Sequence, residues 1–142
     1  MTSKSKNYSI RNDKWLFLRL NSIWTKYFAD IPKQSRVFIR FGRFAKLRLG
    51  SIKYDRETCD TKITITSMFK DSWIPKDVVD YTIAHELVHY SHGFSSLHIR
   101  LHKYPHAGGI IKKEMLSRGL GKQFCAYKDW IKIYRKSFSR YG

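Results

Sequence analysis

Leu16, Leu20, Ile23, Trp24 and Tyr27 recur at three- and four-residue spacing. That period lays one apolar stripe along a helix. Lys14, Arg19 and Lys26 fall mainly on the other side. Asp13 is the expected N-cap, and the helix is expected to run to about Phe28. Residues 1–12 are polar and read as a leader. "DIPKQS" (30–35) is a turn, because Pro32 disfavours helix in the residue before it.

The period then drops to two. "RVFIRF" (36–41) sets Val37, Ile39 and Phe41 on one face. "KLRLGSIKY" (46–54) alternates Leu47 and Leu49, then Ile52 and Tyr54 beyond Gly50. "KITITS" (62–67) alternates isoleucines with threonines. Alternation with β-branched residues predicts a small, mostly antiparallel three-stranded sheet with one solvated face. "DRETCD" (55–60) is the polar connection between the last two strands.

Helical spacing returns after "DSWIP" (71–75). A helix is expected from Pro75 or Lys76 to His92, with Gly93 as its stop. Residues 94–107 carry no strong period and read as a loop. Ile110, Ile111, Met115 and Leu116 predict a short helix between two glycine pairs. A further helix is expected from about Lys122 or Phe124 to Phe138. Tyr127, Trp130, Ile131, Tyr134 and Phe138 make its aromatic stripe. Lys128, Lys132, Arg135 and Lys136 make a basic stripe opposite. The pattern as a whole defines one α+β domain over residues 13–142, with no repeat and no internal boundary.

Composition adds a partner class to this picture. The chain of 142 residues carries 28 Lys and Arg against 11 Asp and Glu, a net charge of +17. The excess runs through both halves, which points to an anionic partner, nucleic acid first. No apolar run is long enough for a membrane span, and the N-terminus lacks a secretory h-region. A cytoplasmic location is the expectation. Cys59 and Cys125 are 66 positions apart and belong to no C-x-x-C pair. This excludes a cysteine-built zinc ribbon or disulfide scaffold.

The candidate chemistry lies in "YTIAHELVHYSHG" (81–93). His85 and His89 are four apart, so they stack on one face of a helix. Two imidazoles at that spacing can bind one Zn²⁺ at about 2.0–2.1 Å each. Glu86 projects to one side of them, where a carboxylate can act as general base on water. This is the mechanical content of H-E-x-x-H. Val78, Val79, Ile83, Ala84, Leu87 and Val88 make the helix apolar on most sides, so it should be buried. Burying ionisable groups without partners costs several kcal/mol, and a metal satisfies both histidines at once.

"IPKDVVDYTIAHELVHYSHG" resembles the active-site helix of the SprT-like zinc metallopeptidases. The order of elements over residues 13–120 is similar as well. The resemblance implies a zincin fold, zinc as cofactor and hydrolysis of peptide bonds in a protein substrate. A catalytic zinc keeps three protein ligands and one open position. Downstream stand His92, His98, His102, His106 and Glu114. His92 lies at the helix end, beyond the reach expected of a ligand. In the SprT-like family the third ligand is a histidine opening the next helix, and "PHAGG" resembles that context at His106. Ala107 departs from the family's glycine. His98, His102 and the carboxylate alternative Glu114 stay open.

By the same resemblance, substrate pairs with an edge strand, best matched by residues 44–54. Lys33, Arg36, Arg40, Arg43, Lys46 and Arg48 lie in a stretch with no acidic residue, interleaved with Phe38, Phe41 and Phe44. Such interleaving suits single-stranded nucleic acid, DNA or RNA, although phenylalanines are more often core. The family's cysteine-built C-terminal ribbon is missing, so DNA binding rests on charge alone. The alternative reading is a basic nucleic-acid-binding module with a structural or vestigial metal site.

Overall fold

The computed structural model describes residues 10–93 and 109–141, with side chains up to residue 136. The described elements are helix α1 (Asp13–Tyr27) and strands β1 (Arg36–Phe41), β2 (Gly50–Asp55) and β3 (Asp60–Ile65). A 3₁₀ turn (Ser67–Lys70) leads to helices α2 (Lys76–Ser91), α3 (Ile110–Ser117) and α4 (Gly121–Tyr141). The α+β class holds, with helices around a three-stranded sheet. His98, His102, His106 and the side chain of Phe138 lie outside the described residues.

The cap of α1 sits one residue earlier than expected. Asn12 Oδ1 accepts the Trp15 N–H at 2.9 Å. Asp13 is the first helical residue instead, and its carboxylate accepts the Phe41 N–H at 2.9 Å. Asn and Asp cap helices about equally well, so the pair Asn12–Asp13 did not decide between them. The observed choice leaves Asp13 to tie α1 to the end of β1.

The sheet is mixed rather than mostly antiparallel. Its order is β1-β3-β2; β3 runs parallel to β1 and antiparallel to β2. The β2–β3 hairpin folds so that β3 inserts beside β1 and leaves β2 at an edge. Alternation encodes which face a side chain takes, not which way its neighbour runs.

β2 is also shorter than its alternation suggested. The Thr66 hydroxyl holds Ala45 at both backbone groups, accepting from its N–H at 2.8 Å and donating to its carbonyl at 2.9 Å. Thr66 N–H then donates to the Leu49 carbonyl at 2.9 Å. Residues 43–49 therefore cross the end of β3 before pairing begins. Leu47, placed on a strand face by its spacing, is 85% exposed.

Helix α2 is the centre of the core. It packs against α1, β2, β3, α3 and α4. Val78, Val79, Ile83, Ala84, Leu87 and Val88 are buried, beside Leu16, Leu20 and Ile23 of α1 and Ile63 and Ile65 of β3. Each such valine, leucine or isoleucine contributes about 1.5–3 kcal/mol of transfer free energy. Pro75 precedes the helix, and Gly93, at φ 81°, ends it in a left-handed turn. A side chain with a Cβ is strained there. Asp80, itself buried, accepts two hydrogen bonds from the Arg19 guanidinium, both at 2.9 Å, and one from Lys76 Nζ at 3.1 Å.

Helix α4 closes the other side of α2. Tyr127 stacks on Tyr81 at 4.1 Å between ring centroids, and Trp130 meets Phe69 edge-on at 5.7 Å. Tyr134 Oη donates to the Lys46 carbonyl at 2.8 Å. The aromatic stripe of α4 thus holds the segment that leads into β2. Cys59 and Cys125 are free and exposed. Among the described residues no helix is long and apolar enough to cross a membrane.

Candidate metal centre

A cleft of about 370 Å³ opens between α2, the start of β2 and α4. His85, Glu86 and His89 line it from α2, and Tyr127 lines it from α4. Residues 47–52 form the remaining wall. The edge strand and the histidine pair, separate features of the sequence, thus meet in one cleft.

His85 is half-buried and His89 is buried. Their Nε2 atoms stand 3.2 Å apart. Two nitrogens bound to one tetrahedral zinc at 2.0–2.1 Å lie about 3.3 Å apart. Helical spacing and rotamers together therefore bring the two nitrogens to hydrogen-bond distance, a separation that a tetrahedral ion can also bridge.

Glu86 is 5% exposed, and burial pushes its carboxyl up to about 7, opposed in part by the nearby charge of Arg48. A base of that strength is suited to exchanging protons with water near neutral pH. Burial also pushes the Tyr81 phenol up to about 12, so it stays protonated at neutral pH.

The raised carboxyl has a consequence for the metal-free chain. Folded Glu86 holds its proton more tightly than the unfolded residue does. Its contribution is fully present below the ordinary value of 4.5 and is lost as pH rises to about 7. The sign follows because the folded state binds more protons over that window. The size is on the order of 3 kcal/mol. Urea denaturation of metal-free protein at pH 4 and pH 8 should show the wild type losing that much more than Glu86→Gln. Equal losses would mean that Glu86 does not carry the effect.

Gly50 sets how closely β2 approaches Glu86. A Cβ at this position would lie 2.8 Å from Thr82 Cγ2 and 3.1 Å from Glu86 Oε2. Only glycine lets the strand pass so near the carboxylate. A lone glycine inside an alternating strand is the sequence signal for such an approach. Tyr81, Thr82 and Tyr127 carried no comparable signal.

The basic stretch divides among several settings. Lys33 Nζ lies 4.8 Å from the Trp24 ring centroid. Arg36 makes two hydrogen bonds to Asp60, at 2.8 and 3.1 Å. Arg40, Arg43 and Lys46 are exposed, and Arg48 lines the cleft. Of the interleaved phenylalanines only Phe41 is core; Phe38 and Phe44 are exposed.

Glu114 turns to other partners. Its Oε1 meets His92 Nε2 at 3.2 Å, and its Oε2 accepts from Arg118 Nε at 2.8 Å. His92, expected to be a bystander at the helix end, is thus a buried member of this network. Among the described residues no three His, Cys, Asp or Glu side chains converge as a metal site would require. Comparison with protein-family models, curated proteins and solved structures found no match to this chain.

Proposed function

We propose that the protein is a zinc-dependent endopeptidase of the SprT-like type. One observation carries the reading: the 3.2 Å approach of His85 and His89 Nε2 in a cleft that also holds Glu86 and an edge strand. His85 and His89 hold the metal, with His106 as the proposed third ligand. Zinc bound there supplies a Lewis acid that lowers the pKa of water to about 7 and polarises a carbonyl.

The remaining work falls to this chain's own groups. Glu86 takes the proton of the attacking water and gives it to the leaving amine. β2 offers its edge to an extended peptide. Thr66 N–H bonds to Leu49, so alternation turns the amide and carbonyl of Gly50 away from β3. Main-chain pairing of this kind binds peptide with little demand on its side chains.

Zinc stoichiometry tests the ligand set. The wild type should bind one zinc per chain, and His85→Ala, His89→Ala and His106→Ala should each lose most of it. His98→Ala, His102→Ala and Glu114→Ala should keep it. Full zinc in the His85→Ala/His89→Ala double variant would end the metal reading.

A second reading is favoured by a different observation. Phe38 and Phe44 are 48% and 60% exposed, and the Arg36 guanidinium lies 5.6 Å from the Phe38 ring centroid. Exposed rings beside cations suit a basic module that binds single-stranded DNA. Such a module binds DNA with an affinity that falls steeply with salt and cleaves nothing. A peptidase acting on DNA-associated proteins combines both properties.

A further inference from the structure

Four arginines of the described residues are already engaged by the fold. Arg11 donates to the carbonyls of Phe69, Asp71 and Ile74. Arg19 pairs with Asp80, Arg36 with Asp60, and Arg118 with Asp30 and Glu114. Arg48 differs from these. It is exposed, lines the cleft, and makes no hydrogen bond or ion pair among the described residues.

Its position along the chain is informative. Gly50, two residues on, lies close to Glu86: a Cβ there would stand 3.1 Å from Glu86 Oε2. Two residues of extended chain span at most about 7 Å. Arg48 therefore stands within a residue or two of the general base, measured along a peptide lying on β2. Leu47, Leu49, Ile52, Tyr81 and Tyr127 around it are uncharged. A carboxylate in the cleft meets the Glu86 charge, and Arg48 is the side chain placed to offset it. A guanidinium also matches a carboxylate with two parallel hydrogen bonds.

We propose that Arg48 is a specificity residue that receives an aspartate or glutamate side chain of the substrate, one or two positions from the bond cleaved. This rests on the peptidase reading. A peptide fits better than a nucleic acid, because the cleft has a strand edge and one arginine rather than a track of cations.

Matched peptides differing only in a Glu, Gln or Lys near the cleaved bond test the idea, with wild type, Arg48→Gln and Arg48→Glu. Wild-type kcat/KM should favour Glu over Gln by about fivefold, the scale of a partly exposed ion pair. Arg48→Gln should level the series, and Arg48→Glu should favour Lys. In parallel, labelled peptides are titrated onto Glu86→Gln and Glu86→Gln/Arg48→Gln, and the same preference should appear and vanish in binding.

Equal Glu-to-Gln ratios in wild type and Arg48→Gln would overturn the proposal. So would a uniform loss on all three peptides, which would mean that Arg48 acts on Glu86 rather than on substrate. Loss of oligonucleotide affinity with the peptide ratios intact would assign the cation to nucleic acid instead. If the wild type cleaves nothing, the peptidase reading falls, and the binding series still decides the role of Arg48.

Discussion

Glu86→Gln should lower peptide-bond cleavage by about 10²–10⁴-fold, the range that a positioned general base contributes. The substitution keeps the shape of the side chain and removes its basicity. It leaves His85 and His89 in place, so zinc should bind within about twofold of the wild type. Affinity for DNA, if the basic surface provides it, should be unchanged. The measurement is single-turnover cleavage of a denatured protein, beside zinc content and circular dichroism on the same sample. A variant that keeps full activity would show that Glu86 is not the base. One that loses zinc or fold along with activity would show that its role in the cleft is structural.

Asp80→Ala should destabilise the protein by about 3–5 kcal/mol, the cost of breaking a buried ion pair by removing one partner. Asp80 is 1% exposed and carries both hydrogen bonds of the Arg19 guanidinium. Lys76 is half-exposed, so water screens its side of the pairing and Arg19 is the main partner. Arg19, on α1, would be left largely buried without its anion, and α1 would lose its polar tie to α2. A shift of about 10 °C or more in Tm is expected at this chain length. Replacing both partners by apolar residues, as in Arg19→Met/Asp80→Leu, should recover most of the loss, because desolvation of both charges is then avoided. Loss of less than about 1 kcal/mol in Asp80→Ala would mean that packing alone holds the two helices.

The helices were the most legible part of the chain. The apolar spacing of α2, its proline start and its glycine stop placed it within a residue of where it lies. β1 likewise matches its alternating run. Direction was not legible: the parallel pairing of β1 with β3 depends on an insertion that side-chain period does not record. The early part of the run 46–54 misled for another reason. Its alternation was genuine, yet Thr66 draws Ala45 and Leu49 into a crossing at the end of β3.

That His85, Glu86 and His89 would come together was legible because their spacing sits within one helix, and all three line the same cleft. The wall opposite was only half visible. Residues 44–54 were expected to offer an edge, and β2 does. Arg48 was grouped with a nucleic-acid surface because linear charge does not tell which cation faces a cleft. Tyr127 was read as part of an aromatic stripe. Its place beside Tyr81 depends on how α4 crosses α2, which no local pattern contains.

The bond from Tyr134 to Lys46 joins residues 88 positions apart. During synthesis, the histidine pair on α2 emerges well before Tyr127, which lines the cleft from α4, and Tyr134, which ties α4 to Lys46. A nascent chain can therefore present His85 and His89, with residues 47–52 already made, while the α4 side of the cleft is still missing. Closure of the groove waits for α4 to dock, so the order of emergence separates having the histidine pair from having the cleft.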